Sequence, residues 1–232
     1  MRTKQQIKSI KSRESGPVQL VNILPIAEVE KLISYYDESN DKITKNTGPV
    51  MLTINEGQGV IDNILSLLRK TFGEFEVRSA HFFDVKDPHV IHIDDGKELP
   101  NSYKAFTIPL YVEGNDSDKA KLVMFDQHYY GGAAKFMKNG PANKVQYYNK
   151  HLYLYDDVDG INNKGIPIEL KEMFSHLREQ WLEGLSVRAY FPWTIGSIIA
   201  FDSLQLHCAS NFKKQNIKRK LGISIFTKWP GE

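Results

Sequence analysis

Residues 75–112 read FEVRSAHFFDVKDPHVIHIDDGKELPNSYKAFTIPLYV. Three runs within this stretch, 76–85, 90–93 and 104–112, are rich in β-branched and aromatic residues, and only polar or Pro-containing turns separate them. Parallel neighbours need a crossover of about a dozen residues or more, usually a helix, and these gaps leave no room for one. Strands of the same texture resume at 122–125, 187–191, 196–207 (with a break expected near Ser203) and 220–227. The chain is therefore expected to be mainly β with flanking helices, its antiparallel strands packed as two sheets in a jelly roll.

Outward from this block the signals are simpler. A strand at 18–24 is stopped by Pro25, and 26–36 has helical spacing, with Ile26, Val29, Leu32 and Ile33 on one face. A second helix is expected over 60–72, ending at Gly73, and a third over 169–185, with Leu170, Met173, Phe174, Leu177, Trp181 and Leu182 inward. Residues 128–168 carry many tyrosines and no sustained period, so they read either as a lid over a site or as packing on the barrel's outer wall. Residues 1–16 form a basic stretch with the look of a frayed tail, and 17–232 a single domain.

Composition excludes several classes. Of 232 residues, 41% are hydrophobic and 25% charged, which is ordinary for a folded globular chain and argues against disorder. A formal charge of +2 gives no electrostatic case for nucleic acid or a membrane surface. No run is apolar enough for a membrane helix, and MRTKQQIKSIKSRES lacks the apolar core of a secretion signal. The single cysteine, Cys208, cannot form an internal disulfide and rules out a cysteine zinc cage, so a reducing, cytoplasmic setting is expected.

Three features bear on chemistry. His92 and Asp94 are two apart on a strand and so share a face. The apolar run 196–207 ends in His207. The final strand puts Lys220, Gly222, Ser224 and Phe226 on one face, a cation beside small residues, as suits a pocket for an anion. Each alone has a plain structural reading. Together, two imidazoles and a carboxylate match the facial triad of non-haem iron oxygenases, which leaves coordination sites open.

On these residues the chain resembles the Fe(II)/2-oxoglutarate-dependent dioxygenase superfamily, in particular its prolyl-hydroxylase-like branch. The likeness spans roughly 17–229 and rests on 16–24, His92-Ile93-Asp94, Phe106-Thr107-Ile108-Pro109-Leu110-Tyr111, 196–207 and 220–226. It implies a double-stranded β-helix (cupin-like) fold and an iron-dependent dioxygenase or hydroxylase. Such an enzyme takes Fe(II), O2 and 2-oxoglutarate, releases succinate and CO2, and hydroxylates an unactivated C–H of a small-molecule or peptidyl substrate. Carried over, His92, Asp94 and His207 bind the metal and act in catalysis. Lys220 is the expected partner of the co-substrate's far carboxylate, with Arg219 the runner-up. Tyr111, Thr107 and Ser224 line the same pocket or are plain strand residues. Asp94 argues against halogenating relatives, and no second Arg is placed as in the nucleobase-repair branch. Two alternatives stay open: a cupin-type metalloprotein that does not use 2-oxoglutarate, and a non-catalytic binding module.

Overall fold

In the computed structural model, which describes residues 2–44, 49–95, 100–114, 116–130, 158–161 and 165–230, strands appear where the 75–112 block and its continuations predict them, except at 90–93. The elements in chain order are α1 (Lys4–Lys11), β1 (Val18–Leu20), α2 (Ile26–Glu38), β2 (Ile43–Thr44), β3 (Val50–Ile54), α3 (Asp62–Phe72), β4 (Glu76–Val85), β5 (Ser102–Glu113), β6 (Lys121–Tyr129), β7 (Val158–Asp159), β8 (Val187–Pro192), β9 (Ile198–Asp202), β10 (Gln205–Ala209) and β11 (Arg219–Lys228). A seven-stranded sheet has the order β1-β9-β5-β11-β4-β3-β2; facing it, β10 and β6 pair, and β7 and β8 both join β6. All named pairs are antiparallel.

Alternation along β11 sorts the interior into layers. Leu221, Ile223 and Ile225 point to one face of the large sheet and meet Val29 and Leu32 of α2 and Ile64, Leu65 and Leu68 of α3. Burial of each such side chain contributes about 1.5–3 kcal/mol, enough to dock helices of this length. The opposite face looks into the barrel, where Ala105, Ile199, Phe201 and Phe226 meet Leu122 and Met124 of β6. A third cluster, including Val123, Phe125, Leu204 and Leu206, covers the outer wall of the small sheet.

Several expectations are corrected. The 1–16 segment is not a frayed tail: Thr3 and Gln6 form a capping box that starts α1, and Ile10 is buried in the outer-wall cluster. The segment 90–93 is not a full strand, since only His92 bridges, to His207. Instead of a helix over 169–185 there are short 3-10 turns at Ile168–Phe174 and Glu179–Trp181. The Met173 carbonyl, which an α-helix would offer to Leu177, accepts the Asn211 N–H at 2.7 Å, and the Leu177 N–H turns back to Phe174 O at 2.7 Å. Of the Tyr-rich stretch, 131–157 and 162–164 lie outside the described residues, and with them the lid expectation.

One loop is held by a glycine for a definite reason. Gly196 has φ +74°, and a Cβ there would sit 2.7 Å from the Leu24 carbonyl, while the Leu24 N–H donates to Gly196 O at 2.9 Å. Gly196→Ala is expected to cost about 1–3 kcal/mol, read as a lowered urea midpoint, because strain and clash coincide.

Candidate metal centre

The break at Ser203–Leu204 carries the 196–207 run from β9 in the large sheet to β10 in the small one, and this delivers His207 to the barrel interior. There it pairs with His92: each backbone N–H donates to the other's carbonyl at 3.0 Å. Asp94, two residues on, is fixed by its own N–H to Ser203 O at 3.0 Å and by Arg78 Nη2 to its carbonyl at 2.6 Å. Side chains remote in sequence thus converge. Asp94 Oδ1 lies 3.6 Å from His92 Nε2, and Asp94 Oδ2 lies 3.4 Å from His207 Nε2. One ligand atom from each of the three falls within 4.8 Å of the others.

Both imidazoles are oriented from behind. His92 Nδ1 meets the Val90 carbonyl at 2.7 Å, and His207 Nδ1 meets the Gln205 carbonyl at 2.9 Å. A proton on each Nδ1 leaves the Nε2 lone pairs free to face inward, the arrangement a metal ligand needs. Phe201 packs on the His207 ring with centroids 4.7 Å apart, and His89 on that of His92 at 4.1 Å. Burial pulls His207 toward neutrality, but the Asp94 carboxylate outweighs it and leaves the pKa above its ordinary value. The space between the Nε2 atoms therefore favours positive charge.

Lys220 stands on the barrel-facing side of β11. Its side chain is buried at 3% exposure, with Nζ 4.0 Å from the Trp193 ring centroid and 4.7 Å from that of Phe212. Desolvation lowers its pKa to about 7, the Cys208 thiol acting weakly the other way. No carboxylate among the described residues pairs with it. A cation so buried normally has an anionic partner. Gly222, next on that face, is hemmed by Ile108 O, Phe83 and Trp193, each 2.9 Å from where a Cβ would lie, so only glycine lets Trp193 come in under the ammonium.

Strand register decides the remaining residues. Ser224 pairs with Thr107, and Gly222 with Pro109, but Leu221 pairs with Tyr111, so Leu110 is an extra residue in β5. Thr107 and Ser224 accordingly share the barrel-facing side. The expected grouping of Tyr111 with them is overturned, because the bulge turns Tyr111 to the outside, 38% exposed, and gives the inward place to Val112 opposite Lys220. Pro109, which lacks an amide hydrogen for the ladder, sits where the bulge forms. Arg219 also faces outward: its Nε donates to Asp84 Oδ1 at 2.8 Å, and its guanidinium lies 5.6 Å from the Tyr111 ring centroid.

Arg78 and Trp193 were not picked out by the sequence reading. A buried Trp and an Arg on a strand have no sequence signature of their own; what they touch, Lys220 for Trp193 and Asp94 and Asp95 for Arg78, is set by residues remote in the chain.

The fold is the double-stranded β-helix. It is shared with a prolyl-4-hydroxylase from Pseudomonas putida, at 13% identity and TM-score 0.51, with 98% of each chain covered. It is shared too with two proteins of nogalamycin biosynthesis. The non-haem alpha-ketoglutarate-dependent epimerase SnoN is 10% identical at TM-score 0.53, over 97% of this chain and 82% of that one. The carbocyclase SnoK is 10% identical at TM-score 0.53, over 97% and 84%. No family model and no curated protein sequence matches the chain.

Proposed function

We propose that this chain is an Fe(II)- and 2-oxoglutarate-dependent dioxygenase that hydroxylates an unactivated C–H of a small-molecule or peptidyl substrate. The observation that carries the reading is the convergence of His92 Nε2, His207 Nε2 and the Asp94 carboxylate, with both imidazoles held at Nδ1 by backbone carbonyls. Two nitrogens and one carboxylate are a donor set that iron(II) accepts, and three such ligands leave positions for a co-substrate and O2. Bound iron supplies the oxygen activation that couples decarboxylation of 2-oxoglutarate to C–H hydroxylation.

The chain's own part is to hold and orient. Lys220 is the anchor for the far carboxylate of 2-oxoglutarate, and an ammonium with no carboxylate partner among the described residues suits that role. Thr107 and Ser224, paired across β5 and β11, share the barrel-facing side with it. The same buried Lys220 favours this reading over a cupin-type metalloprotein, which has no need of a buried cation. The solved structures of the same fold include enzymes described as alpha-ketoglutarate-dependent, and this supports the assignment. A reducing, cytoplasmic setting fits the buried free Cys208, and no helix among the described residues is long and apolar enough to cross a membrane.

Anaerobic addition of Fe(II) and then 2-oxoglutarate is expected to give the weak visible charge-transfer band of a chelated 2-oxo acid. Its absence at saturating ligand would falsify the assignment, and metal uptake without that band would select the cupin reading.

A further inference from the structure

The N-terminal segment reaches the metal centre through one side chain. Arg2 is buried beside Asp95, the residue that follows Asp94, and both side chains are fully shielded from solvent. Asp95 accepts from Arg2 Nη2 and from the Ser102 hydroxyl, and its other oxygen lies 3.2 Å from Arg78 Nη1. Since Arg78 also holds the Asp94 carbonyl at 2.6 Å and Ser203 the Asp94 N–H at 3.0 Å, the backbone is pinned on both sides of the Asp94 side chain. Arg2 Nη1 donates meanwhile to the Tyr130 carbonyl at 2.6 Å. A single guanidinium therefore ties the ligand loop to the end of β6.

The first turn of α1 fixes Arg2 in place. The capping box at Thr3 and Gln6 orders the first turn of α1 directly after it. Lys11 pairs with Asp159 Oδ2 at 2.7 Å, and Glu14 accepts from the Tyr130 hydroxyl at 2.6 Å. A carboxylate buried as Asp95 is needs full compensation, and removing Arg2 weakens that compensation next to the ligand while Arg78 and Ser102 stay in place.

We propose that Arg2 is a positioning residue for Asp94: acting through Asp95, it sets the affinity of the site for a divalent metal. The proposal rests on the metal-binding reading above. A planar fork can serve Asp95 and Tyr130 O together, which a lysine ammonium does poorly.

The test is titration of the full chain with Co(II), followed by its visible ligand-field bands, for wild type, Arg2→Met, Arg2→Lys and Lys11→Met, with a thermal melt of each. Loss of an interaction that orients a metal ligand typically costs roughly 10–100-fold in affinity. Arg2→Met is expected to weaken Co(II) binding about tenfold or more and to change the band intensities, and Arg2→Lys to do so several-fold. Lys11→Met, which removes an exposed pair on the same helix, is expected to bind as wild type does.

Wild-type affinity in Arg2→Met, whatever its melting temperature, overturns the proposal. If Arg2→Met fails to fold, wild-type affinity in Arg2→Lys overturns it instead. Equal weakening in Lys11→Met also overturns it, because docking of α1 as a whole would then set the affinity. A wild-type chain that binds no Co(II) refutes the metal reading itself, a result distinct from all of these.

Discussion

Asp94→Ala is expected to fold and melt close to wild type but to lose tight binding of Fe(II) or Co(II). The carboxylate is the one anionic donor of the cluster and lies within 3.6 Å of both imidazole Nε2 atoms. Without it the buried His207 loses the group that raises its pKa, and the cluster keeps only two neutral nitrogens for a dication. The loss should exceed the roughly 10–100-fold typical when only a hydrogen bond to a ligand is removed. Folding is spared because the backbone ties of residue 94, to Ser203 and Arg78, do not use its side chain. Calorimetric or spectroscopic Co(II) titration checks the affinity, and a thermal melt checks the fold. Unchanged affinity would move the metal away from these three residues.

Much of this centre was legible in the sequence, since period-two alternation is a local property that strands enforce. Lys220, Gly222 and Ser224 share a face for that reason, whereas His92 and Asp94 converge without a full strand, through the His207 bridge and the ties of Asp94 to Ser203 and Arg78. The same parity separates Lys220, on the barrel-facing side of β11, from Arg219, which pairs outward with Asp84. Tyr111 shows where parity fails. Counting by twos from Thr107 passes through Pro109, a residue that cannot complete a central ladder, and the bulge there reverses every position beyond it. Proline inside the run was the available warning.

The apolar residues of 169–185 have helical spacing, yet they cover Phe125 and Leu206 through 3-10 turns, because the Met173 carbonyl is taken by Asn211. That competition comes from a residue far along the chain, and no local pattern records it. The same holds for Arg2, whose burial depends on an aspartate over ninety residues away. The basic composition of the first turns suggested solvent, and the long-range ion pair decided otherwise.

Lys220→Met is expected to give a chain that is more stable than wild type at neutral pH and markedly weaker in binding 2-oxoglutarate. In the folded protein burial lowers the ammonium pKa from 10.5 to about 7, which at about 1.4 kcal/mol per pH unit is a penalty of about 5 kcal/mol. Contact with the Trp193 and Phe212 rings is already part of that balance, so Met, which fills similar volume without the charge, gains a few kcal/mol.

The sign follows from proton counts. Between pH about 7 and 10.5 the unfolded chain binds the proton that the folded one has shed, so wild-type stability from this group rises with pH across that window. Below it the penalty is full and constant. The variant lacks this titration, and its advantage in urea midpoint should shrink from pH 7 toward pH 10. Binding runs the opposite way. An arriving carboxylate restores the proton to Lys220, so wild-type affinity for 2-oxoglutarate should fall above pH 7, while the variant binds weakly at every pH. A charge-assisted hydrogen bond is worth about 1.5–3 kcal/mol, so roughly 10–100-fold in affinity should be lost, with Co(II) uptake unchanged. A variant that is less stable than wild type would mean that the ammonium already has a partner in the barrel. Undiminished affinity for 2-oxoglutarate would place its far carboxylate on another cation.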